Sequence, residues 1–259
     1  MHDGAIFPVL SSPSLARAGF KHAFTTRAGG VSPPPYDSLD FATLRDPLRL
    51  RDNQERLARA VGFDRSAFYQ TRQVHGRALV VAAGEPAQLL ECEADATVGE
   101  PGSAHAVAIR VADCVPVLIA DPTCGRVAAA HAGWRGVEAG VVVASVEHLA
   151  GRGGAPREYV AAIGPSIGAC CFEVGSEVAA RIARAAADDA VVVSRHAGGK
   201  QAMVDLRRAV RAQLLRLGLA DASIDDVAGC TRCERERFYS YRRDGDESGR
   251  LVGVIVARG

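Results

Sequence analysis

The run Val107-Ala108-Ile109-Arg110-Val111-Ala112-Asp113-Cys114-Val115-Pro116-Val117-Leu118-Ile119-Ala120-Asp121 constrains everything around it, and Val127-Ala128-Ala129-Ala130-His131 with a Gly133-Trp134-Arg135-Gly136 turn follows closely. β-Branched runs of this kind read as buried strands. Asp113 and Cys114 divide the first two, and the third ends on His131. A thiol and an imidazole delivered to the ends of buried strands are what a metal site or a nucleophilic site requires.

The chain is long enough, at 259 residues, to bury a large core, and one domain over residues 1–259 is expected. A formal charge of +1, from 31 basic and 30 acidic residues, offers no electrostatic footprint for nucleic acid or an anionic membrane. A small-molecule substrate is the simpler expectation. Apolar stretches such as Val137 to Val146 are interrupted by Glu138 and Gly140 and are too short to span a bilayer. Met1-His2-Asp3-Gly4 lacks the order of a signal peptide, so a cytoplasmic location is expected.

The 7 cysteines form an odd set in a chain that needs no disulfides, so reduced thiols are expected. Cys230 and Cys233 have C-x-x-C spacing, but no second such pair follows, and a structural zinc is not expected there. Neighbouring Cys170 and Cys171 cannot close an ordinary disulfide without strain and read as packed or pocket-lining thiols.

Elsewhere the pattern is that of a mixed α/β chain. Phe24 to Pro35 reads as a strand ending in Arg27, then a Gly29-Gly30 turn and a rigid proline segment. That turn is either plain scaffold or a place where backbone approaches a ligand, with Arg27 holding an anion. Helices are predicted from Asp52 to Gly62, from Gly136 to Ala150, from about Gly175 to Ala187, and from an Asp205 N-cap to Gly218. The arginines of the last helix, Arg207, Arg208, Arg211 and Arg216, read as a solvated face. Strands are predicted from Phe68 to His75, Ala94 to Gly99, Tyr159 to Ile163, Val191 to Ser194 and Leu251 to Ala257. Asp95 caps a turn or faces a pocket, and His196 is an exposed loop histidine. Alone, His75 reads as a structural histidine.

Seven blocks carry a resemblance. Gly29-Gly30-Val31-Ser32, Gln73-Val74-His75-Gly76, Ala112-Asp113-Cys114-Val115-Pro116-Val117, His131-Ala132-Gly133-Trp134-Arg135-Gly136, Ile163-Gly164-Pro165-Ser166-Ile167-Gly168, Cys170-Cys171-Phe172-Glu173-Val174-Gly175 and Ser240-Tyr241-Arg242-Arg243 resemble, in order, the YfiH family. That family is also called peptidoglycan editing factor, laccase-domain or multicopper polyphenol oxidase protein. The resemblance implies a single-domain four-layer α/β/β/α sandwich with mixed sheets, of the CNF/YfiH-like type. It also implies a zinc-dependent purine nucleoside phosphorylase with adenosine deaminase activity, acting on purine nucleosides and phosphate and connected with peptidoglycan editing. Carried over by motif, the metal ligands fall on His75, Cys114 and His131. Cys114, His131 and Asp113 are the catalytic candidates, and Arg27, Gly29, Gly30, Gln73, Arg135 and Arg242 the substrate or phosphate candidates. A monomer is favoured.

Some residues depart from the family pattern. Ser38-Leu39-Asp40-Phe41 and Leu44-Arg45-Asp46-Pro47 replace the usual blocks, and Gln54 follows Asn53 where Arg is usual. If that segment borders the nucleoside, preference for base or sugar changes, while the metal ligands are untouched. Three rival readings stay open. A metal-free hydrolase would use Cys114 as nucleophile and His131 as base. A copper polyphenol oxidase (laccase) would need more histidines than the 7 in this chain can supply. In the third, the protein is a non-enzymatic partner of cell-wall synthesis and the metal a staple.

Overall fold

The computed structural model describes residues 8–42 and 46–258. Among these, the strands in chain order are β1 (Val9–Leu10), β2 (His22–Thr25), β3 (Phe68–Tyr69), β4 (Leu79–Val81), β5 (Ala96–Gly99), β6 (Ala106–Val111), β7 (Val115–Ala120), β8 (Val127–Ala132), β9 (Val160–Ile163), β10 (Glu173–Gly175), β11 (Val192–Arg195), β12 (Gln201–Val204), β13 (Ile224–Asp226) and β14 (Leu251–Val256). The α-helices are α1 (Pro13–Arg17), α2 (Pro47–Val61), α3 (Pro86–Leu89), α4 (Trp134–Ala139), α5 (Val141–Ala150), α6 (Ser176–Ala186), α7 (Leu206–Arg216) and α8 (Tyr241–Asp244).

Side chains alternate across a strand, and here both faces are apolar, so each large sheet must be covered twice. One sheet runs β1-β2-β14-β6-β3 and the other β13-β9-β7-β8-β5-β4. On β14, Leu251 and Ile255 pack between the sheets with Phe24, Ile109, Leu118 and Ala129. Val252, Val254 and Val256 point the other way, where Leu57 of α2 covers them. On β7, Val115, Val117 and Ile119 face the helical side, against Val137 of α4, Val142 of α5, Ile182 of α6 and Val210 of α7. The layers are therefore α/β/β/α. Both sheets are mixed, since β3 with β6, β4 with β5 and β13 with β9 pair parallel while the other pairs are antiparallel. A small sheet, β10-β12-β11, stands apart.

Three elements differ from the sequence expectation. Helix α2 begins at Pro47 rather than Asp52, because the Asp46 carboxylate accepts the Leu48 and Arg49 N–H groups and Pro47 suits the first turn. The helix expected over Gly136–Ala150 is two helices, because Gly140 takes a left-handed φ of 83° and its N–H closes on the Gly136 and Val137 carbonyls. The strand expected from Phe68 to His75 ends at Tyr69. Helices α6 and α7 and strand β14 lie where the spacing predicts. Met1 to Gly4, with Leu44 and Arg45 of the departing block, lie outside the described residues. No helix among the described residues is long and apolar enough to cross a membrane.

Candidate metal centre and active site

The turn from β6 into β7 and the end of β8 bring the chemistry together. Pairing of Val115 with Ala132 and of Pro116 with His131 sets Cys114 beside Gly133. Gly133 has to be glycine, since a Cβ there would stand 2.9 Å from the Cys114 sulfur and 3.1 Å from His75 Cδ2. His131 lies on the inter-sheet side of β8 and is only 3% exposed. His75 comes from a loop, at φ 62°, with its ring edge-on to His131 and centroids 4.8 Å apart. The donor atoms of His75, Cys114 and His131 all lie within 4.8 Å of one another.

Asp95 organises this triad. It is fully buried, and its Oδ1 accepts from His131 Nδ1 at 2.8 Å and from the His75 N–H at 2.9 Å. Its Oδ2 accepts the Val74 and Gly76 N–H groups at 3.2 and 2.6 Å. One carboxylate thus pins the loop that carries His75 and fixes the His131 ring, leaving Nε2 for the thiol or a metal. Between β3 and this loop the chain leaves β6, and Arg72 makes an isolated bridge to Glu93 instead.

Electrostatics follow from the same contacts. Burial would lower the His131 pKa, but the Cys114 and Asp95 charges outweigh it and push it up to about 9. Burial would likewise raise the Cys114 thiol, but His131, and His75 behind it, bring it down to about 6. Asp95 is held below the usual carboxylate range, since its hydrogen bonds from His131 and Gly76 overcome its burial. The His131 and Cys114 shifts both run in the direction of a thiolate–imidazolium pair backed by a carboxylate.

These residues open onto a cavity of about 600 Å³ lined by five arginines, Arg72, Arg110, Arg135, Arg242 and Arg250, against one carboxylate, Asp113. Burial and then the neighbouring Arg250 charge pull the Arg110 pKa down to about 10. Two guanidiniums that repel each other in a concave wall favour an anion between them.

Of the residues singled out in the sequence, His75, Cys114, His131, Asp113, Gln73, Arg135 and Arg242 line this cavity. Gln73 pairs with the backbone of Arg110 through both its amide groups, at 2.8 Å each. Asp113, at φ 89°, accepts the Thr231 hydroxyl on one oxygen and the Arg242 N–H on the other, each at 2.6 Å. Arg27, Gly29 and Gly30 are not part of the lining. Arg27 spends its guanidinium on the carbonyls of Pro35, Asp37 and Arg235 and lies over the Tyr239 ring. A Cβ on Gly30 would collide with the Ser38 carbonyl and Leu39 Cα, so packing explains that glycine. The departing segment touches the cavity at one remove, for Asp40 accepts the Arg250 N–H at 2.7 Å.

Sequence reasoning missed Arg72, Arg110, Arg250 and Thr231, and left Asp95 between two roles. A basic residue inside the apolar run Ala106–Val111 was the available signal for Arg110.

Comparisons with known proteins match the fold over nearly the whole chain. The family model described as "Multi-copper polyphenol oxidoreductase laccase" matches residues 21–258. A relative from Deinococcus radiodurans, named purine nucleoside phosphorylase, is 41% identical over 251 residues, covering 96% of this chain and 92% of its own. Purine nucleoside phosphorylase YfiH of Escherichia coli is 36% identical over 236 residues, covering 89% and 91%. The crystal structure of YlmD from Geobacillus stearothermophilus matches with a TM-score of 0.88 at 30% identity, over 100% of this chain and 98% of that one.

Proposed function

The chain belongs to the multi-copper polyphenol oxidoreductase laccase family, and from that premise we propose that it is a zinc-dependent purine nucleoside phosphorylase that also deaminates adenosine. Adenosine, inosine and 5′-methylthioadenosine are the substrates of this reading. The observation that carries it is a five-arginine cavity whose lining also holds a His-Cys-His donor set. Phosphorolysis takes phosphate as co-substrate, and a neutral nucleoside alone gives no use for so much positive charge.

The donors fit zinc. Two imidazoles and a thiolate suit a borderline-soft ion, and three protein ligands rather than four are the pattern of a catalytic site. His75, Cys114 and His131 would hold the ion, which supplies Lewis acidity at the cavity wall. A multicopper oxidase needs a second, histidine-rich centre, whereas the other donor cluster among the described residues is made of cysteines alone.

The remaining work falls to the chain's own side chains. Arg110 and Arg250 receive phosphate, and Arg135 and Arg242 extend the same field along the cavity. Ile167 and Phe172 offer apolar surface to the purine. Cleaving the N-glycosidic bond builds positive charge on ribose, so phosphate held beneath C1′ is both oriented nucleophile and electrostatic partner. In deamination, water adds at C6 in the same pocket, the C6–N bond breaks, and ammonia leaves as inosine forms. Asp113 acts as a positioning residue through Thr231 and Arg242. The protein in this reading is a cytoplasmic monomer working as one unit over its whole length, in a compartment that keeps its thiols reduced.

One observation favours a second reading. His131 lies between the Cys114 thiol, within 4.8 Å, and the Asp95 carboxylate, 2.8 Å from its Nδ1, the set of groups a metal-free cysteine hydrolase uses.

The test is to incubate metal-assayed protein with each nucleoside, with and without phosphate, and identify products by mass. Free base with ribose 1-phosphate, and inosine from adenosine, are expected. Base release that is indifferent to phosphate would sink the phosphorylase reading.

A further inference from the structure

Away from the His75, Cys114 and His131 set, four more sulfurs converge. Cys170 and Cys171 lie in the turn between β9 and β10, and Cys230 and Cys233 follow β13. The Cys170 sulfur is 3.7 Å from that of Cys171 and 3.6 Å from those of both Cys230 and Cys233, and Cys171 is 3.2 Å from Cys233. All four are free thiols. We propose that they form a second metal site, a tetrathiolate that holds one zinc ion and staples the cavity-lining segment between Ile167 and Phe172 to the segment that follows β13.

Geometry favours an ion over a disulfide. Four sulfurs at about 2.3 Å from a tetrahedral zinc stand roughly 3.8 Å from one another, close to the separations here. A disulfide needs sulfurs at about 2 Å and resists joining chain neighbours. Gly168 leaves the space for this cradle, since a Cβ there would lie 3.2 Å from the Cys170 sulfur and 3.3 Å from that of Cys230. The Gly168 N–H also donates to the Cys230 sulfur at 3.3 Å. Four thiolates around one zinc leave a double negative charge, and the Arg232 guanidinium lies in hydrogen-bonding contact with Cys171 to offset it. The C-x-x-C pair, incomplete by its own spacing, thus finds its second pair 60 residues upstream, from Cys170 to Cys230.

The staple acts on the cavity through short connections. Thr231 N–H bonds the Ser166 carbonyl at 3.0 Å, the Ile167 N–H bonds the Asp113 carbonyl at 2.9 Å, and the Thr231 hydroxyl holds the Asp113 carboxylate. An ion on the four cysteines would lock these segments together beside Asp113. The proposal does not depend on what His75, Cys114 and His131 bind.

Zinc counting on the full chain by native mass spectrometry tests it. Cys230→Ser with Cys233→Ser should carry one zinc ion fewer than the parent protein, and His75→Ala with Cys114→Ser should keep the ion of the four cysteines. An unchanged zinc content in the Cys230→Ser, Cys233→Ser protein would overturn the site. Should that variant fail to fold, cysteine-resolved alkylation of the parent protein tests the same site. Cys170, Cys171, Cys230 and Cys233 should be protected about tenfold or more and be released together by a chelator, while exposed Cys92 and Cys124 label throughout. Equal labelling before and after chelation, or an intact mass showing a disulfide among the four, would contradict it.

Discussion

Asp95 shows how much one buried side chain can decide. Its carboxylate serves His131 and three consecutive N–H groups, so replacement by Asn keeps the size but sets an amide donor against N–H donors. Asp95→Asn should weaken zinc binding by about 10- to 100-fold, measured by competition against a chelating dye, and unchanged affinity would refute its positioning role. Cys114 gives a second prediction, for the metal-stripped protein. A thiol brought down to about 6 is already thiolate at neutral pH, so alkylation of Cys114 should reach half its limiting rate near pH 6. An ordinary thiol does so near pH 8.5, as a rough reference. The reactive form is gained as pH rises through the folded pKa, and His131→Ala, which removes the largest opposing charge, should move the midpoint upward. At this scale Cys114 and His131 stand out in the sequence, because a thiol and an imidazole at the ends of buried strands ask for a reason, whereas His75, in a loop, is singled out only by the family resemblance. Asp95 is not, since an acid before a short strand looks like any turn cap until its N–H partners are seen.

Elements are legible where period and cap agree and obscure where a single residue overrides the period. Asp205 before α7 and Gly218 after it bracket a helix that local spacing already describes. Gly140 breaks an apolar pattern that runs straight through it, and only its left-handed backbone reveals two helices. At α2, Asp46 caps with two hydrogen bonds at 3.1 Å each, one turn before the apolar spacing begins. Asp46→Ala should therefore cost about 1 kcal/mol of stability in urea unfolding while leaving zinc content unchanged. A loss of metal alongside would mean that α2 communicates with the site through Asn53 and Asp40, which share a 2.8 Å hydrogen bond. Arg207, Arg208 and Arg211 of α7, expected as a solvated face, pair with Asp226, Asp188 and Asp221; Arg208 stays exposed while Arg207 and Arg211 are half-buried. Carboxylates 10 to 20 residues away in sequence lie outside the helix pattern and leave no sign of such pairing.

Across the whole molecule, two sheets pack face to face and helices close the outer sides, which puts the β6–β7 turn and the end of β8 at one edge of the sandwich. Arginines reach that edge from segments spread between Arg72 and Arg250. A near-neutral total charge conceals the positive cavity, because composition averages over what folding separates. In the proposed reading the cavity separates phosphate from nucleoside recognition. Arg110→Gln should raise the KM for phosphate several-fold and leave that for inosine nearly unchanged, whereas equal changes in both would remove Arg110 from the phosphate subsite. The decisive measurement is ribose 1-phosphate formation from inosine and phosphate by zinc-assayed protein, before chelation, after it, and after zinc is returned. Loss of product on chelation and recovery with zinc is the expected result. An undiminished rate in protein shown to have lost the ion from His75, Cys114 and His131 would contradict zinc-dependent phosphorolysis.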